Sequence, residues 1–308
     1  MQKTLIIGSR RSLLAQTQSN IVREMLLAAW DNLRVEIVLM DTQGDLNRHD
    51  PLPAIGGKGL FTAELEAALR ERRIDLAVHS LKDLPVEDSP GLAVVAVPER
   101  ANTQDLLISH RAARLEDLPE GAVVGTSSLR RAAQILALRP DLQIKDIRGN
   151  VDTRLRKLND STYGYDAILL ARAGLERLGH ADLEYVHPIP SNVMLPAPGQ
   201  GALAVQARVD DSVINPYLQA LEHLPTRAAV TAERTFLASL GGGCALPVGA
   251  LATVTGHELV LQGVVVSPNG QRVIRVSGSA SIESAQALGR QLAAEALAQG
   301  APELLTRE

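Results

Sequence analysis

Hydrophobic and polar positions in this chain alternate between two periods, and together they predict an ordered series of strands and helices. Residues 4–8 are a short apolar run ending in Gly8, the pattern of a strand. Leu13, Leu14, Ile21, Val22, Met25 and Leu26 then recur close to helical spacing, which predicts a helix from Ser12 to about Trp30 with Ser9 or Ser12 as its cap. Val35, Ile37 and Leu39 alternate with polar residues and predict a second strand over 35–40. A β-α-β opening of this kind points to a parallel sheet. A Gly- and Pro-containing polar loop fills 41–58. An amphipathic helix over 60–73 carries Phe61, Leu65 and Leu69, and short strands follow at 76–79 and 92–97.

After a connection at 97–103, a second α/β stretch begins. Residues 106–109, 123–125, 142–146 and 167–170 read as strands, and 128–138, 151–158 and 171–178 as helices. Pro188, Pro190, Pro196 and Pro198, with Gly199 and Gly201, mark a second crossing over 188–201. The strand expected at 203–207 returns to the first domain in the arrangement that gives two lobes joined by two crossings. A helix at 226–240, strands at 250–255, 258–266 and 272–277, and a helix at 281–299 form a small α+β domain. The expected boundaries are 1–98 with 199–218 for the first lobe, 103–192 for the second and 222–308 for the third domain. No internal repeat or low-complexity tract is visible.

Length and composition narrow the function. A chain of 308 residues holds two or three domains. Its 45% hydrophobic and 21% charged content fits a soluble globular protein. The net charge of −4 and the 2% aromatic content argue against a nucleic-acid partner. No apolar run approaches membrane-spanning length, and the opening apolar stretch is too short for a signal peptide. The simplest location is the cytoplasm. Of the 31 basic side chains, 26 are arginine and 5 are lysine, and the planar guanidinium is the better partner for carboxylates.

Candidate chemistry lies where strands end. Gly125-Thr126-Ser127-Ser128-Leu129-Arg130-Arg131 runs from a strand into a helix, so hydroxyls, backbone N–H groups and two guanidinium groups gather at one helix N-terminus. Gly8-Ser9-Arg10-Arg11-Ser12 repeats the arrangement, and Arg148-Gly149-Asn150-Val151-Asp152-Thr153-Arg154 and Arg177 add further cations. Ligands of α/β sheets sit outside the carboxyl ends of the strands. These sites are therefore expected to face one cleft and to bind a molecule carrying several carboxylates or phosphates. Plain helix caps with solvated arginines would give the same local sequences. In His79-Ser80-Leu81-Lys82-Asp83-Leu84-Pro85, Lys82 can bind an anion beside a carboxylate that meets developing positive charge; a solvated turn is the alternative. Gly56-Gly57-Lys58-Gly59 reads as a flexible surface loop or as a lid. The seven histidines have no metal-ligand spacing, so no metal site is expected.

Cys244 is the one cysteine, within Gly241-Gly242-Gly243-Cys244-Ala245-Leu246-Pro247. A lone thiol forms no internal disulfide. The preceding glycines allow backbone conformations closed to other residues, and Pro247 stiffens the exit. The loop can hold a thiol out for bonding, or the cysteine can be a buried, inert one.

Taken together, these segments resemble the porphobilinogen deaminase (hydroxymethylbilane synthase) family. The matching stretches are Gly56–Phe61, His79–Pro85, Gly125–Arg131, Arg148–Leu155, Ala173–Gly179, Leu195–Ala202 and Glu233–Gly249, in the family's order. The resemblance implies two α/β lobes of the periplasmic-binding-protein type plus a small C-terminal α+β domain carrying the cysteine. It implies one dipyrromethane cofactor per chain, thioether-linked to Cys244. The implied reaction joins four porphobilinogens head to tail into hydroxymethylbilane, with loss of ammonia at each step. Asp83 corresponds to the family's catalytic acid. Ser80, Lys82, Asp83, Thr126, Ser127, Ser128, Arg130, Arg131 and Arg148 correspond to cofactor-binding positions. Arg10, Ser12, Phe61, Arg148, Arg154 and Arg177 correspond to substrate-binding ones, and 56–59 to the lid. The implied protein is a cytoplasmic monomer of porphyrin biosynthesis, with no nucleic-acid or membrane partner, which passes its product to a following tetrapyrrole-pathway enzyme. Ala54, Asp152 and Leu246 depart from the family's usual residues. A non-catalytic two-lobe solute-binding protein and a thiol hydrolase are the rival readings; neither explains Cys244, Asp83 and the arginine clusters together.

Overall fold

The computed structural model describes residues 3–42, 62–242 and 246–305. The chain divides into two compact units, Met1–Ala101 with Ala202–Arg227, and Asn102–Gly201 with Ala228–Glu308. In the first, β1 (Lys3–Arg10), α1 (Leu13–Ala29) and β2 (Leu33–Met40) are followed by α2 (Ala63–Arg70), β3 (Leu76–Ser80) and β4 (Leu92–Ala96). The second continues with β5 (Asp105–Ile108), β6 (Val123–Gly125), α3 (Leu129–Leu138), β7 (Gln143–Lys145), α4 (Val151–Asn159), β8 (Ala167–Ala171), α5 (Arg172–Arg177) and β9 (Val186–Pro188). Strand β10 (Leu203–Arg208) belongs to the first unit.

The first sheet has the order β2-β1-β3-β10-β4. β1 runs parallel to β2 and β3, whereas β10 runs antiparallel to both β3 and β4. The parallel sheet expected from the β-α-β opening is therefore mixed, because a strand arriving from a distant crossing enters from the opposite end. The helix α1 starts where Ser12 accepts the Ala15 amide at 3.3 Å, and such a cap contributes about 1 kcal/mol. Ala15, Ser19, Val22 and Leu26 then repeat every three or four residues and are buried. Leu5, Ile7, Val22, Leu26, Leu76, Val78, Leu203 and Val205 meet in one core cluster. Gly8 permits close packing, since a Cβ there would lie 2.4 Å from Ile74 Cδ1.

The second sheet has the order β7-β6-β8-β5-β9, with β6 parallel to β7 and β8, and β5 antiparallel to β8 and β9. Ala167, Ile168 and Leu169 have no exposed surface, which accounts for the unbroken apolar run of β8. Strand β9, which the sequence pattern did not anticipate, ends at Pro188, the first residue of the expected crossing. Pro188 is compatible with a strand there because β9 is an edge, paired among the described residues with β5 alone.

The C-terminal elements are α6 (Asn215–Gln219), α7 (Leu224–Ser239), the meander β11 (Val248–Thr255), β12 (Glu258–Val266) and β13 (Val273–Ser281), then α8 (Ala285–Ala298) and α9 (Ala301–Leu305). β13 runs to Ser281, past the expected end at 277, because it pairs with β12 along its whole length as far as Glu258. The last long helix correspondingly begins at Ala285. α7 and α8 approach closely at Gly289, where a Cβ would lie 2.5 Å from the Ala232 carbonyl oxygen. Fully buried Phe236 fills the space above Gly263.

Candidate active site

In the first unit, the polar residues sit at the carboxyl ends of parallel neighbours β1 and β3. The pairing of Ile7 with Leu76 and Gly8 with Ala77 brings the end of β1, at Arg10, level with the end of β3. After Ser80 the chain makes a 3-10 turn, Leu81–Asp83, closed by the Leu84 amide donating to the Leu81 carbonyl at 3.2 Å. Leu81 and Leu84 are buried, Lys82 is half-buried and Asp83 is exposed. Two apolar anchors thus hold a short turn while its carboxylate faces outward. The Ser80 hydroxyl accepts from Gln18 Nε2 at 2.8 Å, which draws α1 into the arrangement. Ser12 is half-buried and serves as the α1 cap.

Beneath this turn lies a buried polar chain that the sequence reading did not find. His79 Nε2 and Gln206 Oε1 are 3.0 Å apart, Gln206 Nε2 donates to Glu66 Oε1 at 3.4 Å, and Ser89 Oγ donates to Glu66 Oε2 at 2.6 Å. Burial pushes the His79 imidazole down to about 4, overcoming the Gln206 hydrogen bond and the nearby Glu66 carboxylate, which act the other way. His79 is therefore neutral at pH 7.

In the second unit, the segments following the parallel neighbours β6 and β7 lie side by side. Thr126 donates its amide to the Lys145 carbonyl at 3.0 Å, and Ser127 Oγ donates to the Ile147 carbonyl at 2.6 Å. Ser128 caps α3 by accepting the Arg131 amide, and Asn150 caps α4 by accepting the Thr153 amide at 3.0 Å. Gly149 has φ +114° and leaves no room for a Cβ, which would lie 2.6 Å from Thr153 Cγ2. Arg148 and Arg154 flank this turn, half-buried. Arg148 Nε donates to Asp146 at 3.1 Å and Arg154 Nε to the Gly149 carbonyl at 2.8 Å. Asp152, which the sequence placed between these two cations, is exposed and lies 3.3 Å from His180 Nε2. Arg177 donates to the Gly201 carbonyl at 2.8 Å, and burial pushes its guanidinium down to about 10, against the attraction of Glu176.

Arg130 and Arg131 are only 4% and 6% exposed and share one carboxylate that the sequence reading missed, that of Asp105. Arg130 Nη1 donates to Asp105 Oδ2 at 2.7 Å, and Arg131 donates to Asp105 Oδ1 through Nε at 3.0 Å and Nη2 at 2.7 Å. Burial alone would raise the Asp105 pKa, but the two guanidinium groups outweigh it and the carboxyl is held well below its ordinary range. Arg130 Nη1 also donates to the Leu195 carbonyl at 2.7 Å. Gly249 makes room for that carbonyl, since a Cβ there would lie 2.9 Å from it. The only sequence signal for Asp105 was a carboxylate opening an otherwise apolar strand.

Phe61, residues 56–59 and Cys244 lie outside the described residues. Both ends of the cysteine loop are described. Gly241 and Gly242 take φ +99° and +48°, ending α7 with the Gly242 amide donating to the Leu237 carbonyl at 3.0 Å. On the far side, Val266 donates its amide to the Pro247 carbonyl at 3.1 Å. Glu233 on α7 is fully buried and accepts the amides of Gly199 at 2.7 Å and Ala252 at 2.8 Å. The loop is thus anchored in the same compact unit as Arg130 and Arg131.

Two buried cations on one carboxylate leave one positive charge uncompensated within the cluster. In addition, the buried Arg130 Nε has no hydrogen-bond partner among the described residues. Leaving such a group unsatisfied costs roughly 1–3 kcal/mol or more, and a carboxylate is the chemistry that satisfies it. Among the described residues, no cluster of His, Cys, Asp and Glu could hold a metal, and no helix is long and apolar enough to cross a membrane.

In the second unit these features gather guanidinium and hydroxyl groups at the ends of parallel strands. The family model described as "Porphobilinogen deaminase, dipyromethane cofactor binding domain" matches residues 5–216, and "Porphobilinogen deaminase, C-terminal domain" matches 227–298. A porphobilinogen deaminase from Roseiflexus sp. (strain RS-1) is 49% identical over 307 residues, covering 99% of each chain. Another, from Desulforudis audaxviator (strain MP104C), is 48% identical and covers 100% of this chain and 98% of its own. Among solved structures, the methionine-binding protein MetQ aligns with a TM-score of 0.43 at 12% identity, covering 71% of this chain and 89% of its own. The chain belongs to the porphobilinogen deaminase family.

Proposed function

We propose that this chain is a hydroxymethylbilane synthase, a transferase that joins four porphobilinogens head to tail and releases ammonia at each addition. The observation that carries the reading is the exposed Asp83 carboxylate on a turn fixed by buried Leu81 and Leu84. As the C–N bond of porphobilinogen breaks, its electron pair leaves with ammonia and positive charge spreads onto the pyrrole nitrogen. A carboxylate held in place stabilises that charge without having to reorganise. When the new C–C bond has formed, the same group can accept the proton released from the ring carbon.

Cys244 would hold dipyrromethane through a thioether, and the bound group would supply a free pyrrole carbon as the primer for the first addition. Arg130, Arg131, Thr126, Ser127 and Ser128 would hold its carboxylates, and Ser80 and Lys82 correspond to further cofactor-binding positions of the family. Arg10, Ser12, Phe61, Arg148, Arg154 and Arg177 would bind the acetate and propionate groups of the substrate and growing chain. A charge-assisted hydrogen bond contributes roughly 1.5–3 kcal/mol, so a few suffice to retain a polyanion through successive additions. A thioether resists reduction, which suits a cytoplasmic monomer that hands its product to the next tetrapyrrole-pathway enzyme.

Intact-mass measurement tests this reading. Protein purified from cells that make porphobilinogen should exceed its sequence mass by one dipyrromethane unit, and Cys244→Ser should lack the increment. A bare wild-type chain would refute it.

A further inference from the structure

We infer that Asp105 is the positioning residue of the anion site: it touches no ligand itself, but sets the guanidinium planes of Arg130 and Arg131, and is itself fixed by Gln200. The inference rests on the reading that this arginine pair holds the dipyrromethane carboxylates. Asp105 opens β5 opposite Ala171, the last residue of β8, and so lies at the sheet edge where β6 and β8 end. Its side chain has no exposed surface. Oδ2 accepts from Arg130, and Oδ1 accepts from Arg131 twice and from Gln200 Nε2 at 2.9 Å. Gln200, also fully buried, donates to the Thr103 carbonyl at 2.8 Å. This gives the Pro198-Gly199-Gln200-Gly201 segment a role that the proposed chemistry had not used.

Two adjacent arginines at a helix start would repel each other and extend into solvent. One buried carboxylate between them does two things. It holds both heads inward, and it reduces their combined charge from two to one. The residual charge and Arg130 Nε, unpartnered among the described residues, then remain for an incoming anionic group. Asp105 thus acts through the arginines, and its loss should impair cofactor loading beyond any effect on folding.

The test uses full-length protein produced with a porphobilinogen supply. For wild type, Asp105→Asn and Asp105→Glu, one measures the fraction of folded chains carrying the dipyrromethane mass, alongside the thermal midpoint. In Asp105→Asn the amide turns a donor toward an arginine, and the loaded fraction of folded chains is expected to fall at least tenfold. Asp105→Glu keeps the charge and should recover part of the loading. The double variant Asp105→Asn/Arg131→Gln restores a net charge of one and should regain thermal midpoint without regaining loading. Folded Asp105→Asn chains that load fully, whether or not their midpoint drops, would overturn the inference and leave Asp105 a stability residue. If Asp105→Asn does not fold, Asp105→Glu decides: loading below wild type supports the inference and full loading overturns it. Absence of the adduct from wild type itself would instead strike the function proposed above.

Discussion

The Leu81 amide donates to the Ala202 carbonyl at 3.0 Å. Next to it, Ser80 pairs with Leu203 and His79 with Ala204. The turn carrying Asp83 is therefore held by backbone from a segment more than a hundred residues away in sequence. A carboxylate that is to stabilise developing charge needs such a fixed base, because one that must reorient gives up much of its effect.

Asp83→Asn removes the charge while leaving the turn's anchors in place. Turnover is expected to fall by roughly a hundred-fold or more, the scale of a positioned acid–base group. Because Asp83 is exposed, the thermal midpoint should barely move. Ammonia release at close to the wild-type rate would take Asp83 out of its role.

Arg148→Leu separates binding from stability. The side chain pairs with exposed Asp146, and exposed pairs of this kind are worth about 0–1 kcal/mol. The melt should change little, whereas chain extension should stall with partly elongated enzyme visible by intact mass. Completion of the product at normal speed would contradict the assignment.

Gly149→Ala tests the backbone between Arg148 and Asn150. An alanine at φ +114° is strained, and its Cβ would press on Thr153. The expected cost is about 1–3 kcal/mol, read from denaturant or thermal unfolding. An unaffected midpoint would mean that the turn adapts freely.

His79 should make stability sensitive to acid. Its folded value, about 4, lies below the ordinary 6.5, so the unfolded chain takes up a proton that the folded chain refuses. Its contribution is complete above about pH 6.5 and is lost as pH falls from there toward 4. The full effect is on the order of 3 kcal/mol at most. Melting curves between pH 7 and pH 4.5 should fall less steeply for His79→Gln than for wild type. Equal slopes would exclude His79 as the source.

Much of the layout can be read from the chain because local rules decide it. The expected 258–266 and 123–125 strands are observed with those bounds, as β12 and β6. Ser12 and Ser128 cap the helices they precede. Apolar spacing and hydroxyl caps act over a few residues, so sequence alone carries them. The edge strand at Val186–Pro188 escaped notice because its proline reads as a break until its lone partner is known.

The sequence by itself determined which side chains stand at strand ends: Arg10 at the end of β1, Ser80 to Asp83 at the end of β3, Thr126 to Arg131 after β6, and Arg148 after β7. It also determined that the one thiol follows three consecutive glycines, and through its matched segments it determined the family. Only the tertiary structure decided that Asp105 sits between Arg130 and Arg131, that Glu233 binds the amides of Gly199 and Ala252, and that Ala202 braces Leu81. Those partners are tens to more than a hundred residues apart, and nothing in local spacing encodes which buried carboxylate meets which cation. Burial makes the pairing mandatory, and the packing of the fold selects the partner.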